Sequence, residues 1–260
     1  MEGLSIIVPV YNKIETTLKC IDSITSQNTT AAYEIIIVDN GSTDGTEQEC
    51  RDGFKTRLYN EHITCIRNKE NLGVSKALNI GADAAKYDAL CFMHNDVFVF
   101  RENWTAEIAG FISKTSNAGV VGLYGARTIR KDGTFRGKTI VHAEKNGPGM
   151  QKTFEKVAVV DGLLLAMKKT VFQKCRGFCE GFTIHYYDKD ISLRAYKNGL
   201  VNYVLNIPFE HECAATRTQI PEEDAVRDEA QQVFCEAWSL YLPVDVSSWK
   251  DRISYVVKRK

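Results

Sequence analysis

Apolar positions in the first hundred residues follow a repeated unit, in which a short β-branched run ends in polar residues and leads into a helical pattern. The predicted strands are residues 4–10, 34–39, 63–67 and 89–93. After the first strand, Ile14, Leu18 and Ile21 recur with the period of an α-helix. Such alternation predicts a parallel sheet flanked by helices. The strand 89–93 (ALCFM) is apolar throughout, so we expect it at the centre of the sheet.

The pattern changes beyond about residue 125. Asp132 and Gly133 lie between alternating residues and predict a β-hairpin. An apolar run follows over residues 157–167. A helix is predicted from about Tyr187 to Asn198, with Gly199 in a favourable position to end it. One more strand over 200–206 and a surface helix over 221–241 complete the prediction.

Composition and charge narrow the class of protein. The 260 residues include 33 Lys+Arg and 33 Asp+Glu, and this balance argues against nucleic-acid binding. With 44% hydrophobic residues the chain has enough apolar side chains for a folded core. The N-terminal apolar run stops at Tyr11 and has no basic residues before it, so we expect a cytoplasmic protein. The eight cysteines form no CxxC pair, and we expect reduced thiols rather than disulfides or a zinc site.

Polar residues follow each of the four predicted strands, and in an open parallel sheet ligands bind at these strand ends. The residues are Tyr11, Asn12, Asp39, Asn68, Asn71, His94, Asn95 and Asp96. Each one alone is more often a turn or cap residue. Because they occur in four successive loops, they indicate a site. Asp96, an isolated carboxylate after a buried strand, is a candidate ligand for a divalent cation; the alternative is that it caps the segment leading to Trp104.

Several motifs together carry a family resemblance. IIVPVYNK, IIIVDNGSTDGT, NKENLGVSKALNIGA and FMHNDVFV, followed by VDGLLLAMKKTVFQKCRGFCEGFTIHYYDKDISLRAYKNG, resemble the family 2 glycosyltransferases of GT-A fold over roughly Ser5 to His211. The resemblance implies an α/β fold with a Rossmann-like, mostly parallel sheet. It implies a domain over 1–215, with a nucleotide-sugar half (1–100) and an acceptor-side half (101–215), and a C-terminal helical extension over 216–260.

The resemblance also implies roles for individual residues. Contacts with the nucleotide sugar are implied for Pro9, Tyr11, Asn12, Asp39, Asn71, Gly73, Lys76, His94 and Asn95. Asp96 stands at the metal-binding end of the DxD position, His211 at a histidine that completes the metal shell in many members, and Asp188 at the general base. Departures from the family pattern are His94 for the first acid of DxD, Lys13 for Glu and Leu78 for Arg, and they leave the preferred nucleotide and the metal affinity open.

Asp188 and Asp190 compete for the role of base. Two positions apart on a helix, their side chains diverge by about 200°. If Asp188 faces the site, Asp190 turns away and we expect it to pair with Arg194 one turn later. The alternative is that Asp188 merely caps the helix, where a carboxylate is favourable because of the helix dipole.

The resemblance therefore implies a metal-dependent, inverting sugar transfer from a nucleoside-diphosphate sugar, UDP- or dTDP-linked, to a hydroxyl of a glycan, a lipid-linked acceptor or another glycoconjugate. Mn²⁺ or Mg²⁺ is the expected cofactor. The alternative is a catalytically degenerate domain that binds a nucleotide sugar or supports a partner enzyme, and His94 favours it.

A dinucleotide-dependent oxidoreductase is excluded because the loop after the first strand has no glycine. For the terminal ISYVVKRK, contact with the inner face of a membrane, an arm on a second subunit and an ordinary helix end all remain open.

Overall fold

The first half of the chain alternates strands and helices as the sequence predicts. The computed structural model describes residues 3–54, 62–141, 150, 152–212 and 223–248. Its first elements are β1 (Leu4–Val10), α1 (Ile14–Thr25), β2 (Tyr33–Asp39), α2 (Thr46–Arg51), β3 (Ile63–Arg67), α3 (Val74–Ala84) and β4 (Ala89–Met93). The four predicted strands are confirmed to within one residue.

The second half is richer in short strands. Its elements are β5 (Val97–Val99), α4 (Trp104–Lys114), β6 (Ala118–Gly122), β7 (Tyr124–Ile129), β8 (Phe135–Val141), β9 (Phe154–Val157), β10 (Val159–Val160), β11 (Leu164–Lys168), α5 (Lys169–Lys174), α6 (Tyr187–Lys197), β12 (Val201–Leu205), β13 (Phe209–His211), α7 (Glu223–Ala237) and β14 (Val244–Asp245). The hairpin at Asp132 and Gly133 joins β7 to β8, which confirms that prediction. The helix predicted at Tyr187 is α6, and Gly199 follows it with a φ of 79°.

Eight strands form the central sheet in the order β3-β2-β1-β4-β11-β6-β12-β9. The pairs β3–β2, β2–β1, β1–β4 and β6–β12 are parallel, whereas β11 is antiparallel to both β4 and β6. The α/β class with a mostly parallel sheet is therefore confirmed. Strand β4 lies between β1 and β11 near the middle, as its apolar sequence predicts.

The apolar run over 157–167 contributes strands to two different sheets. Strand β10 pairs with β7 in a second sheet, which also contains β8 and β14, while β11 belongs to the central sheet. The chain changes sheet at Asp161 and Gly162, the two polar or small positions in the middle of this run. This change of direction matters for the site, because it brings the backbone of Gly162 against α6.

Helix α3 packs close to the sheet at Gly81. A Cβ at Gly81 would lie 2.3 Å from Cγ2 of Ile7 and 3.1 Å from Cγ2 of Val38. Only glycine permits this approach without displacing a β-branched side chain of the core.

The described part of the C-terminal segment packs on the rest of the chain. Phe234 and Trp238 are buried in the same core cluster as α6, and β14 pairs antiparallel with β7. The division into a domain ending at 215 and an extension over 216–260 stays a prediction. No helix within the described ranges combines the length and the apolar sequence needed to cross a bilayer.

The expectation of uniformly reduced cysteines is wrong for one pair. Cys50 and Cys65 form a disulfide between the end of α2 and β3. The sequence contains no motif that marks this pair, because the two cysteines meet only when α2 packs beside β3. Five further cysteines are thiols, and Cys213 lies outside the described residues.

Candidate active site

The end of β4 carries three polar residues and leads at once into β5. Strand β5 pairs antiparallel with β13, so that His211 lies opposite Val97, the residue after Asp96. The backbone amide of Glu212 donates to the carbonyl of Asp96 over 2.9 Å. This pairing of distant segments brings His211 beside the strand end.

His94, Asp96 and His211 form a cluster of possible metal ligands. Oδ1 of Asp96 lies 3.3 Å from Nε2 of His211 and 3.9 Å from Nδ1 of His94. One potential ligand atom from each of the three residues lies within 4.8 Å of the other two. Sequence reasoning places Asp96 and His211 in the metal shell but assigns His94 to the nucleotide sugar; the structure places all three together.

The surroundings of Asp96 fit a divalent cation. Its side chain is buried, and within the described residues Oδ1 receives no hydrogen bond of ordinary geometry. Burial alone raises the pKa of Asp96, but contact with His211 and the charges of His94 and His211 outweigh it and hold the pKa below its usual value. A buried, ionised carboxylate faced by two imidazoles is a suitable donor set for a transition-metal ion.

Asp188 lies in the first turn of α6 and is 9% exposed. Its Oδ2 accepts a hydrogen bond of 3.0 Å from the backbone amide of Gly162. Asp190 is oriented differently: it forms an ion pair with Arg194 and accepts a 3.0 Å hydrogen bond from Nε1 of Trp238. The predicted pairing of Asp190 with Arg194 is confirmed, and it leaves Asp188 as the carboxylate associated with the strand ends.

Tyr187 connects the cluster to the start of α6. Its hydroxyl oxygen lies 2.7 Å from Nε2 of His94 and 3.4 Å from the carbonyl oxygen of Gly162. Burial raises the pKa of Tyr187 well above its usual value, and the charges of Asp188, Asp161 and Asp96 add to this effect. The candidate base and the candidate metal ligands therefore lie at the same end of the sheet.

Asp161 lies close enough to Asp188 for its titration to depend on the charge of that residue, and sequence reasoning does not single it out. Burial raises its pKa to about 6, and the negative charge of Asp188 contributes in the same direction. Oδ1 of Asp161 accepts a 3.1 Å hydrogen bond from the amide of Leu163. The available signal was an acidic residue inside an otherwise apolar run, VAVVDGLLL, a position that a strand buried on both faces does not favour.

The loops after β1 and β2 are tied together at the same edge of the sheet. The amide of Asn12 donates to Oγ of Ser42 over 2.7 Å, and Oδ1 of Asn12 accepts from the amide of Thr43 over 2.8 Å. Tyr11 is 40% exposed beside these loops, and Pro9 is half-buried within β1. These contacts fix the backbone on which Tyr11 is presented.

Asp39 is completely buried at the end of β2. It forms an ion pair with Arg67 and accepts a 2.9 Å hydrogen bond from the amide of Ser42. The side chain of Arg67 is 31% exposed and lies 3.1 Å from Oε2 of Glu47. Both carboxylate oxygens of Asp39 are therefore engaged, and Arg67 is the residue of this pair that reaches the surface.

Asn71 organises the loop before α3. Its Oδ1 accepts hydrogen bonds from Nδ2 of Asn40 (2.8 Å) and from the amide of Gly73 (3.0 Å). Gly73 has a φ of 81°, and a Cβ there would lie 3.1 Å from the carbonyl oxygen of Thr183. Lys76 is exposed on α3. The loop is thus closed against the segment that precedes α6.

Asn95 is oriented away from the other two residues of its triplet, because its Nδ2 donates to Oγ1 of Thr17 in α1 over 2.9 Å. The structure also shows the surroundings of two departures from the family pattern. Leu78 is buried in the core, and Lys13 precedes α1 with a φ of 64°.

The comparison that decides the family is the match of the sequence profile described as Glycosyl transferase family 2, which covers residues 5–176, more than half of the chain. The chain belongs to glycosyltransferase family 2. The matched residues of this glycosyltransferase include β1 to β4, the polar loops after them, and the bend at Gly162.

A curated relative is the glycosyltransferase AglE of Haloferax volcanii, which is 37% identical over 94 residues, or 36% of this chain and 30% of AglE. The glycosyltransferase GlyG of Streptococcus pneumoniae is 28% identical over 123 residues, or 47% of this chain and 39% of GlyG. The chain therefore matches only about a third of the length of these relatives.

Among solved structures, GalNAc-T7 with UDP, GalNAc and Mn²⁺ has a TM-score of 0.66 and 17% identity, covering 81% of this chain and 44% of that one. The mannosyltransferase PcManGT from Pyrobaculum calidifontis, in complex with GDP-Man and Mn²⁺, has a TM-score of 0.57 and 18% identity over 79% of this chain and 54% of its own. At these identities the likeness shows the fold, which is GT-A.

Proposed function

We propose that this glycosyltransferase transfers a hexose or related sugar from a nucleoside-diphosphate sugar to an acceptor hydroxyl, in a metal-dependent reaction that inverts the anomeric centre. One relationship carries the proposal: Tyr187 contacts His94, two residues before Asp96, and directly precedes Asp188. The residues that would hold a metal and the residue that would take a proton are thus neighbours.

His94, Asp96 and His211 are the residues that would hold the cation. When bound, the cation neutralises the charge that develops on the leaving diphosphate. Two imidazole nitrogens with one carboxylate favour Mn²⁺ over Mg²⁺, since Mg²⁺ prefers a shell of oxygen ligands. Mn²⁺ in the structures of GalNAc-T7 and PcManGT supports this choice.

Asp188 is the general base of the proposed reaction. Its carboxylate accepts the proton of the acceptor hydroxyl while that oxygen forms a bond to the anomeric carbon. The bond to the diphosphate breaks at the same time, and the diphosphate leaves with the electron pair. Oδ2 of Asp188 accepts a hydrogen bond from the Gly162 amide, so we assign Oδ1 as the oxygen that accepts the proton of the acceptor hydroxyl. A single displacement inverts the anomeric centre.

The donor is a nucleoside-diphosphate sugar, and the loops after β1, β2 and β3 are its proposed site. GalNAc-T7 was solved with UDP and PcManGT with GDP-Man, which supports a nucleoside-diphosphate sugar as the class of donor. Because these two ligands carry different nucleobases, the nucleobase has to be inferred from the residues of this chain. We propose UDP- or dTDP-sugars. Because both oxygens of the buried Asp39 are already bonded, we propose that Asp39 acts indirectly, by holding Arg67 where it can contact the nucleobase of the donor. The other proposed donor contacts are Pro9, Tyr11, Asn12, Asn71, Gly73 and Lys76.

Proposals for the acceptor and the cellular setting rest on the sequence. The acceptor is a glycan, a lipid-linked acceptor or another glycoconjugate, as in polysaccharide biosynthesis, and the location is cytoplasmic. Contact with the inner face of a membrane or with a second subunit is assigned to the tail over 253–260, which lies outside the described residues.

The test is release of nucleoside diphosphate from UDP-, dTDP- and GDP-sugars, measured with Mn²⁺, with Mg²⁺ and with EDTA. The wild type is expected to release diphosphate from one donor class in Mn²⁺ and to lose this activity in EDTA. Asp96→Asn is expected to lose both turnover and metal-dependent donor binding. A donor bound equally in Mn²⁺ and EDTA contradicts the assigned metal site.

The alternative is a domain that binds the donor without turning it over, and His94 in place of the first acid of DxD is the feature that favours it. Thermal shifts with each donor measure binding independently of turnover, because stabilisation follows affinity by mass action. If wild type, Asp96→Asn and Asp188→Asn bind the donor equally and none releases diphosphate with any acceptor supplied, the binding domain is the correct description.

A further inference from the structure

The hydroxyl of Tyr187 lies between a histidine ring and a backbone carbonyl. It is 2.7 Å from Nε2 of His94 and 3.4 Å from the carbonyl oxygen of Gly162. The Tyr187 side chain is buried, and its ring packs edge-on against Phe178 with centroids 5.6 Å apart. Packing therefore fixes the position from which the hydroxyl reaches His94.

The two neighbours of this hydroxyl restrict its hydrogen bonds. A phenol has one proton to donate, and a backbone carbonyl can only accept. If the hydroxyl donates to Gly162, its oxygen is left to accept a proton from Nε2 of His94. In a neutral imidazole that arrangement leaves the other nitrogen, Nδ1, unprotonated. Nδ1 is the atom of His94 that lies 3.9 Å from Oδ1 of Asp96.

We propose that Tyr187 is a positioning residue that holds His94 in the tautomer protonated at Nε2, with Nδ1 directed to the cation site that Asp96 and His211 complete. This inference rests on the proposed function, since it concerns the same metal site. Histidine ligands commonly bond through their second nitrogen to a neighbouring group, which fixes the tautomer and the ring orientation.

Gly162 supports the same arrangement. A Cβ at this position would lie 2.3 Å from the Tyr187 hydroxyl oxygen, so only glycine leaves the hydroxyl where it is. The amide of Gly162 donates to Asp188 while its carbonyl faces Tyr187. One peptide segment therefore positions both the group that orients His94 and the candidate base.

The first measurement needs no variant. ¹⁵N NMR of the histidine rings in metal-free protein, with His94 assigned by its loss in His94→Gln, reports which ring nitrogen carries the proton. We expect His94 to be protonated at Nε2 and unprotonated at Nδ1 near neutral pH. A His94 ring protonated at Nδ1 overturns the inference.

The second measurement compares Tyr187→Phe with wild type. Loss of the hydroxyl is expected to give a mixture of His94 tautomers and to weaken Mn²⁺ binding about 10- to 100-fold in calorimetry without donor. The matched control is Tyr203→Phe, at a buried tyrosine that packs against Phe111 and Phe154, and it is expected to change neither. Unchanged tautomer and Mn²⁺ affinity in Tyr187→Phe overturn the inference.

The two proposals fail in distinguishable ways. If wild-type protein does not bind Mn²⁺, the proposed metal-dependent function fails, while the tautomer of His94 still decides the role of Tyr187. If wild type binds Mn²⁺ and Tyr187→Phe binds it equally with the same His94 tautomer, the metal site stands and the role of Tyr187 is rejected.

Discussion

The backbone amide of Gly162 donates a 3.0 Å hydrogen bond to the carboxylate of Asp188. Gly162 lies where the chain passes from β10 in one sheet to β11 in the other, and Asp188 lies in the first turn of α6. The bond therefore sets the carboxylate relative to the central sheet rather than to its own helix. This is the position expected of a base that acts on a substrate bound at the strand ends.

Asp188→Asn is predicted to remove the proposed base and preserve the fold. The amide oxygen of asparagine still accepts the Gly162 hydrogen bond, but the side chain no longer takes up a proton at neutral pH. The turnover number is expected to fall about 10²- to 10⁴-fold with little change in donor affinity. Steady-state kinetics and donor titration measure the two quantities separately. Asp83→Asn, at an exposed aspartate of α3, is the control and should keep full activity.

Local sequence patterns predict the parallel half of this fold well, since each strand and helix there is encoded by its own periodicity. They also identify Asp96 as a candidate metal ligand, because an acidic residue soon after a buried apolar strand can be recognised from a few neighbouring residues. The antiparallel pairing of β5 with β13 has no such local signal, and it is this pairing that places His211 beside Asp96. The family resemblance predicts the role of His211, whereas the local residue pattern does not.

Some contacts between residues distant in the sequence could not be predicted from the sequence pattern. They involve Asp161, Tyr187 and the Cys50–Cys65 disulfide. Asp161 lies within an apolar run, and its environment depends on the change of sheet at Gly162. Tyr187 reads as an ordinary aromatic residue at a helix start, and its contact with His94 joins positions 93 residues apart. The partners in each case are fixed by tertiary packing, which residue spacing does not encode.

Asp190→Ala is predicted to destabilise the protein without a specific effect on the chemistry. Asp190 is buried and receives bonds from Arg194 and from Nε1 of Trp238, so its removal leaves a guanidinium and an indole without this partner. Removing one member of a buried pair typically costs about 3–5 kcal/mol. Urea unfolding measures the loss. Asp224→Ala, at an aspartate 82% exposed on α7, should stay within about 0.5 kcal/mol of wild type.

The histidines are predicted to set the metal preference. Turnover lost in EDTA should return at a lower concentration of Mn²⁺ than of Mg²⁺, because two of the three proposed ligands are nitrogen donors. In His211→Asn one nitrogen donor is replaced by an amide oxygen, so the ratio of the two activation constants should move toward one. His62→Asn, whose ring packs on Tyr33, is the control and should keep the wild-type ratio. Equal activation by both metals in wild type contradicts the assignment.

Asp161 is predicted to make the metal-free protein less stable as the pH rises. Burial, aided by the charge of Asp188, raises its pKa from 3.8 to about 6 in the folded state. Between these values the folded state binds more protons than the unfolded state, so the free energy of unfolding falls as pH increases through this window. Asp161→Asn removes the ionisation and should stabilise the protein by about 1–3 kcal/mol at pH 7.5.

The difference between Asp161→Asn and wild type should shrink steadily from pH 7.5 toward pH 4, where the folded wild type carries a protonated Asp161. Urea unfolding in EDTA across this range measures it. Asp132→Asn supplies a control of opposite sign, because hydrogen bonds from Thr134 lower the pKa of Asp132. The stability that ionised Asp132 contributes is present at neutral pH and is lost as the pH falls through its folded-state pKa. Parallel stability curves for wild type and Asp161→Asn would mean that Asp161 titrates normally, and its carboxyl group would then not share the buried environment of Asp188.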